Sequence, residues 1–186
     1  MENLERRDFI KTSAVVAGGA MLSSLPLSGA YAAGSDVIKV ALVGCGGRGT
    51  GATFDALSSG MNIKVVALAD AFKDNLDSTY NTLKEKWQDK IDVSDNHKFV
   101  GFDAYKDAIQ LADVVILATP PGFRPAHFEE AIRQGKHVFM EKPVAVDIPG
   151  VQQVLRAAAE AKRKKLNVVV GLQRRYQTNY REAIKR

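Results

Sequence analysis

Cysteine occurs once in the 186 residues, at Cys45, which excludes an intrachain disulfide and any metal site built from several thiolates. Histidine is nearly as scarce. His97 and His137 have no carboxylate or cysteine at metal-ligand spacing, so no metal site is expected. Internal repeats and low-complexity segments are missing as well, which excludes a repeat architecture. Charge is absent from Thr12 to Ser35, yet Gly18, Gly19, Ser23, Ser24, Pro26 and Gly29 make that stretch a poor spanning helix.

What precedes and follows the uncharged stretch gives it a different reading. Glu5 to Lys11 reads ERRDFIK, a basic region, and Ala30-Tyr31-Ala32 is a small-x-small cleavage site. The Arg6-Arg7 pair followed by Phe9 and Lys11 resembles a twin-arginine export signal. Residues 1–32 are therefore expected to be a signal peptide. The mature protein is expected in the periplasm, delivered by the twin-arginine machinery and not spanning the membrane. A retained anchor and a general secretory signal with a chance arginine pair are the blander alternatives.

The remainder has a soluble globular composition, 46% hydrophobic and 25% charged over the whole chain, with length for about one domain. Its charge is uneven. Residues 33–150 carry 13 Lys/Arg against 16 acids, whereas residues 151–186 carry 10 against 2. The basic run Lys162-Arg163-Lys164-Lys165 falls at a predicted helix C-terminus, where the dipole favours cations. No aromatic interleaving accompanies it, so nucleic-acid binding is not expected.

Apolar runs of strand type alternate with helical spacing from Val37 onward. Strands are predicted at 37–43, 63–69, 98–100, 114–118, 137–140 and 168–170. Helices are predicted at 53–57, 73–87, 105–111, 125–134 and 148–164. The last is capped by Asp147, with Val151, Val154, Leu155, Ala158 and Ala161 facing inward. This alternation predicts an α/β fold, a Rossmann-type doubly wound parallel sheet. The expected division is a dinucleotide-binding domain over 33–150, then a crossing helix, a last strand and the start of a second domain over 151–186. The chain stops inside a helical pattern with no capping glycine or proline, and a fragment lacking its second domain is the expectation.

The first strand runs into Gly44-Cys45-Gly46-Gly47-Arg48-Gly49, a G-x-G-x-x-G turn opening a helix. Gly44 permits the tight turn, Gly46 lets backbone N–H groups approach a diphosphate, and Gly49 lets the helix pack closely on the strand. The helix N-terminus adds partial positive charge. Asp70 ends the second strand 21 residues after Gly49, where a carboxylate holds the adenosine ribose. The carboxylate favours NAD. Arg48 and Lys73 leave NADP open, since either would offset repulsion of a 2′-phosphate. Cys45 is read as a small filler beneath the cofactor in preference to a reactive thiol.

Thr119-Pro120-Pro121, His127 and Glu141-Lys142-Pro143 lie within one stretch from Val114 to Val146. Together with the glycine turn, they resemble the glucose–fructose oxidoreductase / inositol dehydrogenase / rhizopine-catabolism (Gfo/Idh/MocA) family, in particular its exported bacterial members. The resemblance implies hydride transfer between NAD(P) and a sugar, cyclitol or related polyol. It places Lys142 beside the nicotinamide and the reacting alcohol, and Glu141 on the nicotinamide-side ribose. Pro143, cis in many relatives, fixes the bend. Gly44, Gly46, Gly47, Arg48, Gly49, Asp70, Thr119, Pro120, His127, Glu141, Lys142 and Pro143 become the cofactor-binding set, with Lys142 catalytic as well. His127 is equally well read as a packed or capping residue. Arg174 and Arg175 are candidates for contact with substrate. The family's second domain is expected to lie outside these 186 residues, and a homo-oligomer formed through it is a further expectation. Two other functions stay open: a glycoside hydrolase using tightly held NAD, whose members lack the plain E-K-P, and a non-catalytic nucleotide-binding fragment.

Overall fold

Strand β1 (Ile38–Val43) alternates its side chains between two covered faces, and that alternation organises the molecule. Val40 and Leu42 point into one apolar cluster, Ala41 and Val43 into another. The computed structural model describes residues 36–185. The export signal expected over 1–32 lies outside the described residues.

A doubly wound sheet follows from two-sided burial, because parallel strands joined by helices must be covered on both faces. Helix α1 (Gly47–Leu57) leads to β2 (Ile63–Asp70), and α2 (Lys73–Lys86) to β3 (Lys98–Val100). The chain then crosses back through α3 (Ala104–Gln110) to β4 (Val114–Leu117). It continues through α4 (Arg124–Arg133), β5 (His137–Met140), α5 (Ile148–Arg163) and β6 (Val168–Val170). Two short helices, α6 (Gln173–Tyr176) and α7 (Thr178–Ile184), end the described chain.

All pairings are parallel and the strand order is β3-β2-β1-β4-β5-β6. The Rossmann-type sheet expected from the sequence is therefore present. Ala52, Leu57, Leu76 and Leu83 of α1 and α2 cover one face. Ala108 and Ile109 of α3, Phe128 and Ile132 of α4, and Val154, Ala157 and Ala161 of α5 cover the other. The winding direction reverses between β1 and β4, and a crevice opens beyond their carboxyl ends, the usual ligand position in such sheets.

Two expectations need correction. Helix α1 begins at Gly47, six residues before the predicted start, because the glycine turn is itself the helix's first turn. On α5 the buried stripe is Val154, Ala157 and Ala161, while Val151, Leu155 and Ala158 are exposed. The helix carries two adjoining apolar stripes at the same spacing. The one containing two alanines packs, since small side chains let α5 approach the sheet and α4 closely. Asp147 does cap α5, its Oδ1 accepting from the Gly150 N–H at 2.8 Å.

The glycine turn is held by contact between backbones. A Cβ on Gly49 would stand 1.9 Å from the Gly44 carbonyl oxygen and 3.2 Å from Leu42 Cδ1. Helix propensity alone favours Gly49→Ala by up to about 1 kcal/mol. Overpacking against a backbone that cannot move aside costs about 1–3 kcal/mol or more. The steric term wins. Gly49→Ala is expected to lower stability by about 2 kcal/mol, read from urea unfolding; a gain in stability would contradict this packing.

Candidate active site

A cleft of about 760 Å³ lies over the carboxyl ends of β1, β2, β4 and β5. That volume falls in the range of small-molecule and cofactor sites. Its floor is the turn after β1. Gly44 has φ +98°, and a Cβ there would meet the Thr119 nitrogen at 2.6 Å. Glycine is thus required where the loops after β1 and β4 touch. Gly46 and Gly47 are different, because nothing stands within 4 Å of a Cβ placed on either. No side chain caps α1. Its first-turn amides have no intrahelical acceptor, the arrangement that receives an anion.

The turn is braced from below and beside. Cys45 is buried, and its Sγ lies 3.5 Å from the Ala69 carbonyl oxygen. Burial first, and then the Asp70 carboxylate, push its thiol pKa far above the usual value, so Cys45 is filler and not a nucleophile. The buried hydroxyl of Thr79 on α2 donates to the Cys45 carbonyl at 2.7 Å. Asp70 accepts from the Cys45 N–H at 2.6 Å through Oδ2 and from the Phe72 N–H at 2.9 Å through Oδ1. Its carboxylate lines the cleft in a fixed orientation.

On the other wall, Thr119, Pro120, His127, Glu141 and Lys142 also line the cleft. Gly44, Gly46, Arg48 and Asp70 complete the predicted residues found in the lining. Gly47, Gly49 and Pro143 fall outside it, with Gly49 beneath the turn. The Lys142–Pro143 peptide is cis, as the resemblance implies. Lys142 is exposed to the cleft, whereas Glu141 is buried. Arg174 and Arg175 on α6 are exposed and outside the lining, to which α6 contributes Gln173.

His127 is packed. It is 6% exposed, its ring centroid lies 4.1 Å from that of Tyr105, and its Nδ1 is 3.1 Å from Thr119 Oγ1. Burial, reinforced by the nearby Arg124 cation, lowers its pKa from 6.5 to about 4. The imidazole is therefore neutral near pH 7.

Several lining residues were not singled out from the sequence. Arg124 is 3% exposed, and its guanidinium donates to the carbonyl oxygens of Thr119 and Pro143. It ties the end of β4 to the end of β5. A cation in the first turn of a helix opposes the dipole, and that was the available signal that Arg124 had another task. Phe72, Phe102 and Phe123 form an aromatic rim, with Phe102 and Phe123 ring centroids 6.0 Å apart. Phenylalanines in the loops that follow predicted strands, Phe72, Phe102 and Phe123, were the corresponding signal.

Residues 38–171 match the Gfo/Idh/MocA oxidoreductase family, described as an NAD-binding Rossmann fold, and the chain belongs to that family. Its nucleotide fingerprint sits in the cleft just described. A glycosyl hydrolase family 109 protein of Solibacter usitatus is 27% identical over 88% of this chain and 38% of its own length. An inositol 2-dehydrogenase of Serratia proteamaculans is 35% identical over 63% of this chain and 32% of its own. The solved apo scyllo-inositol dehydrogenase of Lactobacillus casei is 25% identical with a TM-score of 0.63, covering 81% of this chain and 41% of that one. The chain thus spans less than half the length of these relatives. Among the described residues no helix is long and apolar enough to cross a membrane, and no cluster of ligands fits a metal ion.

The depressed pKa of His127 has a consequence for stability. Between pH 6.5 and about 4 the unfolded chain takes up a proton that the folded chain refuses. Stability present above pH 6.5 is lost as pH falls through that window, by on the order of 3 kcal/mol. Urea midpoints measured from pH 7 to 4.5 should decline, and His127→Asn should decline less steeply. Parallel slopes for the two proteins would show that His127 is not the group responsible.

Proposed function

We propose that this chain is the cofactor-binding part of an NAD-dependent oxidoreductase that moves a hydride to or from a cyclitol, sugar or related polyol. The observation that carries the reading is the meeting of Gly46, Asp70, Glu141 and Lys142 around one cleft at the carboxyl edge of the sheet. The likeness to two inositol dehydrogenases supports the substrate class.

The residues present fit the cofactor. The open space before Gly46 and Gly47 receives the diphosphate against the uncapped start of α1. Asp70 accepts from the adenosine ribose hydroxyls, while the phenylalanine rim meets the adenine. Asp70 also repels a 2′-phosphate, and the two cations able to offset that repulsion have carboxylate partners of their own. Arg48 pairs with Glu141, and Lys73 with Asp77. NAD is therefore preferred over NADP. When bound, the nicotinamide ring supplies the hydride acceptor or donor. Lys142 hydrogen-bonds the alcohol oxygen, either polarising it or relaying its proton, a role worth about 10²–10⁴ in rate.

Glycoside hydrolysis through a transient oxidation is the second reading, supported by the match to a family 109 protein over 88% of the chain. The plain Glu141-Lys142-Pro143 weighs against it, since that branch is expected to lack this element. An aryl glycoside separates the two, because phenol released without net NADH formation would favour the hydrolase. A purely nucleotide-binding role is the third reading, and it predicts that Lys142 is dispensable.

Export through the twin-arginine route also belongs to the proposal, supported by Arg6-Arg7 ahead of an uncharged stretch and Ala30-Tyr31-Ala32. That route carries folded proteins, which suits a cofactor loaded before export. A substrate-bearing second domain, and an oligomer formed through it, are part of the same reading.

In a titration followed by NADH fluorescence, the chain should bind, and Lys142→Ala should leave the affinity within about threefold. In a version carrying the second domain, Lys142→Ala should lower polyol-dependent NADH formation at least about a hundredfold. Undiminished turnover would remove Lys142 from the chemistry. Replacing both Arg6 and Arg7 by lysine should keep the precursor in the cytoplasmic fraction; continued appearance of mature protein in the periplasm would exclude the twin-arginine route.

A further inference from the structure

Glu141 is a buried carboxylate with one ionic partner among the described residues, and that partner comes from the opposite wall of the cleft. Arg48 Nε and Nη2 donate to Glu141 Oε1 at 2.8 and 2.5 Å. The side chains differ sharply in environment, Arg48 being 56% exposed and Glu141 8%. The pairing raises the guanidinium pKa through its hydrogen bonds to Glu141. Both donors converge on one oxygen. The second carboxylate oxygen accepts no hydrogen bond among the described residues and is not among the fully buried polar atoms left without a partner.

A third element secures the arrangement. A Cβ on Gly171, just past β6, would stand 2.8 Å from Glu141 Oε1 and 3.1 Å from Oε2. The Gly171 N–H donates to the Met140 carbonyl at 2.8 Å, and the Glu141 N–H to the Leu117 carbonyl at 3.0 Å. The carboxylate is thus clamped between the start of α1 and the end of β6, on a backbone fixed to both neighbouring strands. Its Oε1 is taken by the guanidinium, which leaves Oε2 without a hydrogen bond among the described residues, on a side chain that lines the cleft.

We propose that Arg48 is a positioning residue. It reaches from the phosphate-binding turn to hold the Glu141 carboxylate turned so that Oε2 accepts from a hydroxyl of the nicotinamide-side ribose. Gly171 supplies the space this orientation needs. The inference rests on the dinucleotide reading above and adds a coupling within it. The turn that receives the diphosphate also sets the acceptor for the far half of the cofactor. Truncating Arg48 leaves a buried carboxylate without its partner, so the cost falls on Glu141 and not only on the phosphate.

The test uses two ligands and three substitutions. NADH carries the nicotinamide-side ribose, whereas ADP carries the diphosphate without it. NADH affinity is read by fluorescence titration and ADP affinity by calorimetry, for the chain, Arg48→Ala, Glu141→Gln and the double variant. Each single substitution should weaken NADH at least about tenfold, and the double should be no weaker than the worse single within about threefold. Glu141→Gln should leave ADP within about twofold, a split that a general loss of structure would not produce. Gly171→Ala, which alters no charge, should reproduce the Glu141→Gln pattern. Additive losses for NADH, or equal losses for NADH and ADP in Glu141→Gln, would overturn the coupling while leaving dinucleotide binding intact. Failure of the unaltered chain to bind either ligand would overturn the dinucleotide reading, and this inference with it.

Discussion

Backbone touching backbone at the switch point is the constraint on which the rest of this structure depends. The loop after β1 and the loop after β4 approach so closely that a single Cβ on Gly44 would collide with the Thr119 nitrogen. One turn of helix later, Gly49 fits beneath the Gly44 carbonyl with no room for a methyl group. These two contacts draw α1 down against β1 and fix where its uncapped N-terminus points. The open approach at Gly46 follows from the crowding at its neighbours. A turn packed tightly below has its free surface above, facing the cleft.

The second wall is built by different means. There a buried guanidinium does what close backbone packing does at the first. Arg124 donates to carbonyl oxygens on the loops following β4 and β5, joining Thr119 to Pro143. Burial pushes its pKa below the ordinary value, while the Glu141 carboxylate pulls the other way. A desolvated cation is costly unless hydrogen bonded. Arg124 is well used on two of its nitrogens, and its Nε has no partner among the described residues. It joins the strand ends that carry Thr119 on one side and Glu141-Lys142 on the other.

Much of this was legible in the sequence, for identifiable reasons. The strands were readable because a parallel sheet covered on both faces demands apolar runs such as VVIL and HVFM. The glycine turn and Asp70 were readable because their spacing encodes one local unit, strand, turn, helix and strand. The start of α1 was misjudged because glycine weakens a helix by propensity, while here tertiary contact overrides propensity. The inward face of α5 was misjudged because periodicity cannot tell which of two adjacent apolar stripes packs. Gly171 fills space beside Glu141 from a neighbouring strand end, and the Arg48–Glu141 pair joins residues 93 apart. Local pattern carries no information about such pairs.

The charge distribution of the cleft differs from that of the chain around it. Residues 33–150 are net acidic, whereas the cleft lining balances Arg48, Arg124 and Lys142 against Asp55, Asp70 and Glu141 and adds the positive end of α1. Asp70 stands apart from the three cations, at the end of β2. A ligand matching this field has its anionic groups at its middle and neutral hydroxyl donors toward its ends. A dinucleotide has that shape, with a diphosphate between two riboses. Arg48 is central because it belongs to both regions, rooted in the glycine turn and bonded to the buried carboxylate just past β5. The same cation pairs the Glu141 charge where the two walls of the cleft meet. Paired through one oxygen, the carboxylate keeps the other as a hydrogen-bond acceptor next in sequence to Lys142.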